Sequence, residues 1–246
     1  MRSAPAFVAG LGALALVPAL AGCSSTTAKA EEVARGGTEA FAAKGLSVAK
    51  VNRDVDVVST TLLRDANGAA AVVTLRNETP RALGAVPVAL SAQDRAGSSL
   101  WKNDAPGLER ALTQVPSLPP RRSVTWVNDQ VLAVTGTPTK VVARVGAAQP
   151  AGTLPRVRAD RPAFESDPGG STAARGKVRN LSSDDLRDVV IYGVARRGDR
   201  VVAAGRSIVP RLRPRATADY AIFFIGDPRR GDLEVTAAPF PAPTRR

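Results

Sequence analysis

The chain has 246 residues, with 34 Lys and Arg against 22 Asp and Glu, a formal net charge of +12, and only 4% aromatic residues among 44% apolar ones. It contains no histidine and one cysteine, Cys23. Within this chain those absences exclude a Ser-His-Asp triad, a His-built zinc site and an internal disulfide. The apolar residues, mostly Ala, Val and Leu, suit small cores packed with β-branched side chains rather than a large enzyme interior.

An apolar run from Phe7 to Leu20 follows a start whose only charge is Arg2, and it closes on Leu20-Ala21-Gly22-Cys23. A positive start, a short apolar stretch and a small-residue cleavage site predict a secretory signal over residues 1–22. The run is shorter than the roughly 20 apolar residues a spanning helix needs. Its last four residues resemble the lipobox of bacterial lipoproteins. That resemblance implies cleavage before Cys23, acylation of the Cys23 thiol, and an exported protein held by lipid on the extracytoplasmic face of the cell membrane. Residues 23–46 are small and polar, with Gly36-Gly37 interrupting a stretch of helix formers, and are expected to be a flexible tether.

From Ser47 onward, short β-branched runs alternate with turns. Val48–Thr61 predicts a strand, Asp65-Ala66-Asn67-Gly68 a hairpin turn, and Ala69–Arg76 the returning strand. Val86–Ser91, a turn at Asp94–Gly97, Ser99–Lys102, Val124–Leu132 and Thr139–Val145 continue the pattern. Only Pro106–Leu112 offers a hint of helix.

The second half then repeats the first. Arg76-Asn77, Leu83, Val86 and Val88 are answered by Arg179-Asn180, Leu186, Val189 and Ile191 at an offset of 103 positions. Val115-Pro116-Ser117-Leu118 is answered by Val209-Pro210-Arg211-Leu212, and Trp126 by Tyr220, at an offset of 94. The first copy therefore holds about nine extra residues, assigned to Asn103–Ala111. The expected class is all-β: two tandem immunoglobulin-like β-sandwich domains after the signal peptide and tether, at residues 47–148 and 153–240, with a C-terminal tail at 241–246. The prolines of the V-P-x-L-x-P segments, Val115–Pro120 and Val209–Pro214, are expected at crossovers between sheets rather than in a central strand.

Gly176-Lys177-Val178-Arg179-Asn180, Leu186, Val189-Val190-Ile191, Gly198-Asp199 and Val201-Val202 resemble the FxLYD-type domain. That is a small immunoglobulin-like sandwich common on bacterial surface proteins. The resemblance covers roughly residues 172–240. The namesake run is replaced here by Tyr192-Gly193-Val194-Ala195-Arg196, and the first copy resembles the family less. It implies a fold, without a shared ligand or activity.

Candidate sites are few. Ser47-Val48-Ala49-Lys50 has the S-x-x-K form of penicillin-binding proteins but lacks the accompanying K-T-G and S-D-N elements, so it is read as chance. Asn77-Glu78-Thr79 and Asn180-Leu181-Ser182 have the form of glycosylation sequons, and turn-making by Asn explains both. Asp54 with Asp56, and Asp184 with Asp185, are read as solvated faces rather than a calcium site. Trp126 is expected in the core and Trp101 could be exposed. The alternating Arg211, Arg213 and Arg215 are the candidate contact for a polyanion, and Arg196, Arg197, Arg200, Arg229 and Arg230 could join them. No catalytic residue, metal site or cofactor is expected. The expected function is a non-catalytic, membrane-anchored surface lipoprotein serving as an interaction or envelope-organising module. Its expected partners are other envelope proteins, anionic lipid or cell-wall polymers, and not nucleic acid. The alternative is a ligand-binding or transporter-accessory lipoprotein.

Overall fold

The computed structural model describes residues 45–132, 136–166 and 172–241. Leu20–Cys23 and most of the tether therefore lie outside the described residues. What is described is all-β, and every strand ladder is antiparallel.

In the first half, β1 (Val55–Asp65), β2 (Gly68–Asn77) and β6 (Ser123–Asn128) form one sheet in the order β1-β2-β6. Asp65 pairs with Gly68 across the predicted turn, and the Asp65 carboxylate accepts the Asn67 amide at 2.7 Å. The opposing sheet is built on β3 (Leu83–Gln93). Its start pairs with β5 (Gln114–Leu118) and β8 (Gln149–Pro150), and its end with β4 (Ser99–Lys102) and β7 (Lys140–Val145). The predicted first strand begins later than expected, because Arg53 and Asp54 turn before Val55; Val51 makes only an isolated bridge to Gly146. Pro106–Leu112 yields a single 3-10 turn at Arg110–Leu112.

In the second half, β9 (Val157–Ala159), β10 (Ala163–Ser166), β11 (Thr172–Asn180) and β14 (Thr217–Phe223) form one sheet. The other runs β15-β13-β12-β16, from β15 (Ile225–Gly226), β13 (Arg200–Leu212), β12 (Leu186–Arg197) and β16 (Asp232–Ala238). Among the described residues, each ladder between named strands stays within 55–150 or within 157–238. Alternating side chains of each sheet pair meet in the middle, which makes a sandwich in each half.

The prolines of the V-P-x-L-x-P segments divide: Pro119-Pro120 and Pro214 stand where the chain changes sheet, as expected, whereas Pro116 and Pro210 correct the expectation and lie within β5 and β13. Pro116 falls opposite Ala85, and Pro210 opposite Asp188, where the ladder skips a pair. Ala85 and Asp188 both have a φ of +50°. At each site the missing proline N–H meets an irregularity that asks for no hydrogen bond. The chain changes sheet after β5 and β13, at Pro119-Pro120 and at Pro214. Arg121 and Arg215, which follow, both take left-handed backbone, with φ of 54° and 59°.

The repeated Asn is the strongest point of identity between the halves. Both are fully buried. The Asn77 amide nitrogen donates to the carbonyls of Arg81, Leu118 and Pro119 at 2.8, 3.2 and 3.1 Å, while its oxygen accepts the amide and hydroxyl of Thr79. Asn180 does the same with the carbonyls of Asp184, Leu212 and Arg213 at 2.7, 3.1 and 3.0 Å, and with the amide and hydroxyl of Ser182. The Ser or Thr two residues on is therefore part of a bolt that ties the strand end to the V-P-x-L strand. Neither Asn has left-handed backbone, so its role is cross-strand bonding as well as turn-making.

β12 explains how the halves meet. Its run Val189–Ala195 is buried throughout, as expected of a strand covered on both faces. Val189, Ile191 and Ala195 point into the core of the second sandwich. Val190, Tyr192 and Val194 point the other way and join the core of the first half, together with Val201, Ile225, Ala238 and Phe240. The described residues of the two halves accordingly form one compact unit.

Candidate functional site

The nine-residue insertion of the first copy lies at this junction. Asn103, fully buried, accepts the Leu90 amide at 2.7 Å and donates to the carbonyls of Val88 and Leu112, which ties the insertion to β3. From that base Glu109 reaches the second half, where it accepts two bonds of 3.1 Å from the Arg206 guanidinium. Asp129 accepts a third from Arg206 at 2.7 Å. The Arg206 side chain is 6% exposed. Burial is the largest single influence on it and opposes its charge, but the bonds and charges of Glu109 and Asp129 outweigh burial and hold its pKa above the ordinary arginine value. Beside it, Arg110 stacks on the Phe240 ring at 4.0 Å.

Tyr192 sits next to this cluster, pairing with Arg206 across the β12–β13 ladder. Its hydroxyl is buried without a hydrogen-bond partner among the described residues, and burial pushes its pKa far above the usual tyrosine value. Tyr192 also lines a cavity of about 310 Å³ between the halves, with Ser117, Thr125, Glu234 and Thr236. A buried hydroxyl without a partner carries a desolvation penalty of about 1–3 kcal/mol. Tyr192→Phe is therefore expected to leave the urea midpoint unchanged or to stabilise the fold by about 1 kcal/mol. A loss of comparable size would show that a bound water or ligand occupies the cavity and bonds the hydroxyl.

The arginines separate into two groups rather than the single patch expected. Arg211 makes a two-pronged bond to Asp185, with contacts of 2.6 to 3.1 Å. That bond is the main reason the Asp185 carboxyl is held below its usual pKa. Arg215 donates to the Leu181 carbonyl at 2.8 Å. Arg213 is exposed. Two of the three candidates are thus engaged in local bonds. The others lie at the far end of β13: at a strand rise of ~3.3 Å per residue, Arg200 and Arg211 are roughly 35 Å apart.

At that far end is an open cleft of about 1010 Å³ at the junction of the halves. Arg64 comes from β1, Arg197 and Arg200 from the two-residue β12–β13 hairpin, and Arg229 and Arg230 from the 3-10 turn Pro228–Arg230. Asp65 closes one side, accepting the Gly226 amide at 2.7 Å across the junction. Asp227 caps the 3-10 turn by accepting the Arg229 amide, the main cause of its lowered pKa, and pairs with the side chains of Arg229 and Arg230. Arg64, Arg197 and Arg200 make no ion pair among the described residues. Sequence reasoning offered four of these five arginines as additions to Arg211, Arg213 and Arg215, from which they lie apart, and missed Arg64, which is more than 130 positions from Arg197.

The remaining candidates find structural places. Trp126 is buried in the core and donates to the Ala111 carbonyl at 2.9 Å; its counterpart Tyr220 donates to the Asp160 carbonyl at 2.8 Å. Trp101 is half-buried on β4 and packs against the first core. Asp54 and Asp56 are exposed, and no group of three or more acidic or Cys residues among the described residues could hold a metal ion. No helix among them is long and apolar enough to cross a membrane. No known protein-family model matches the chain, and no curated protein matches it.

Proposed function

We propose that the chain is a non-catalytic, lipid-anchored lipoprotein of the bacterial cell envelope, whose β-sandwich body serves as an interaction or envelope-organising module. The observation that carries this reading is Leu20-Ala21-Gly22-Cys23 at the close of the Phe7–Leu20 run, with Cys23 the single cysteine of the chain. Two or more acyl chains give the stable attachment that one does not. The resemblance of residues 172–240 to the FxLYD-type domain supports a surface role for the body, with tandem immunoglobulin-like domains at 47–148 and 153–240. The lack of histidine supports a non-catalytic role, since the commonest general base is missing. The body's partners are other envelope proteins or anionic polymers, not nucleic acid.

The cavity beneath Tyr192 favours a second reading, a receptor for a small ligand or a transporter accessory, because its volume is at the lower end of small-molecule sites. One experiment separates the two. Pull-down from detergent-solubilised envelopes, with wild type and Cys23→Ala, is expected to recover protein or polymer partners with the wild type, and Cys23→Ala is expected to leave the membrane fraction. Equal membrane retention of Cys23→Ala would contradict the anchor. A specific small molecule in place of a partner would favour the second reading.

A further inference from the structure

We propose that the cleft between the halves, framed by Arg64, Arg197, Arg200, Arg229 and Arg230, binds a ligand carrying several phosphate groups in a row. The inference rests on reading the body as a binding module and gives the chemistry of its partner, but it does not depend on the anchor. Three elements from both halves bring these five guanidinium groups to one concave site. The acidic residues there are already committed: Asp65 to the Gly226 and Asn67 amides, Asp129 to Arg206, and Asp227 to Arg229 and Arg230. Arg64, Arg197 and Arg200 are left exposed and without an ion pair among the described residues. Five arginines against Asp65, Asp129 and Asp227 leave the recess net positive, and a concave wall concentrates that field on whatever enters.

The guanidinium fork matches phosphate oxygens two at a time. Because the arginines stand on separate elements, one monoanion does not engage them together, whereas a run of phosphates does. Concavity argues against a bilayer, whose flat face cannot follow the recess. The half-exposed ring of Phe223 on the wall offers the ligand an apolar surface as well.

The test uses the purified full-length chain with tripolyphosphate as probe, followed by calorimetry at about 50 mM salt and again at about 200 mM, where phosphate contacts weaken. Saturable binding is expected with both wild type and Cys23→Ala. Affinity is expected to fall at least about tenfold in Arg64→Ala/Arg197→Ala/Arg200→Ala, a change equal to about 1.4 kcal/mol. Arg211→Ala/Arg213→Ala, at the other end of β13, is the control and is expected to bind as wild type does. All five substituted positions are exposed, and circular dichroism verifies the fold. Four results overturn the proposal: no saturable binding, an equal loss in the control, equal affinity for inorganic phosphate, or tighter arginine-dependent binding to phosphatidylglycerol vesicles than to tripolyphosphate. None of them bears on Cys23, so failure here leaves the anchored-module reading to its own test.

Discussion

Asn180→Ala is expected to destabilise the chain by about 3–5 kcal/mol, with Asn77→Ala close behind, although neither residue touches a candidate ligand site. Each side chain makes five hydrogen bonds from a fully buried position. A net bond contributes about 1 kcal/mol, and each buried group stripped of its partner costs about 1–3 kcal/mol. Some of the freed groups regain water, because the Asp184 and Arg213 carbonyls are only part-buried, which keeps the total well below the sum. Asn180→Asp is the sharper variant. It keeps the acceptor for Ser182 but directs a carboxylate at three carbonyl oxygens. Those oxygens and burial raise its pKa in the folded state above the unfolded value, so the variant is penalised at neutral pH and regains stability as pH falls. Urea unfolding at pH 7 and at about pH 4.5 reads the difference. Equal stability of wild type and Asn180→Asp at neutral pH would contradict the bonding scheme.

Arg206→Met is expected to cost about 2–4 kcal/mol and to loosen the junction of the halves. The substitution retains much of the buried stem but leaves Asp129 and Glu109 without their cation, and removing one partner of a buried pair typically costs about 3–5 kcal/mol. Glu109 is 45% exposed and regains water readily, which sets the lower figure. Val190, Tyr192 and Val194 still pack on the first core, so the halves stay folded. The readout is therefore cooperativity as well as stability: wild type unfolds in one urea transition, and Arg206→Met splits toward two, with faster proteolysis near Gln149–Thr153. Arg206→Lys, which keeps the charge and loses the two-pronged geometry, is expected to fall between. A single transition of unchanged midpoint in Arg206→Met would show that apolar packing alone joins the halves.

Much of this architecture was legible because its signals are local. Asp65-Ala66-Asn67-Gly68 specifies its own turn, and Ser99–Lys102 lies between two clear breaks. The internal repeat was legible too, and it located the insertion Asn103–Ala111 by subtraction alone. The function of that insertion was not legible, since Glu109 and Arg206 are almost a hundred positions apart and no spacing rule relates them. β12 shows a signal that was present and not used. The run Val189-Val190-Ile191-Tyr192-Gly193-Val194-Ala195 has apolar residues at both parities, and a strand of that kind must be covered on both faces. Read that way, it announces that the second sandwich packs against something besides itself. The arginines show the opposite limit. Alternation at 211, 213 and 215 places three side chains on one edge, yet it says nothing of Asp185 or the Leu181 carbonyl, which engage two of them. The cleft assembles from three elements that only the fold brings together.

The central claim is that a lipid on Cys23 holds this β-sandwich body at the cell envelope. Mass spectrometry of the N-terminal peptide of the chain extracted from envelope membranes tests it most directly. The account predicts a mature peptide that begins at Cys23 and carries the added mass of acyl chains. A peptide extending upstream of Cys23, or one that begins there with an unmodified thiol, would contradict it.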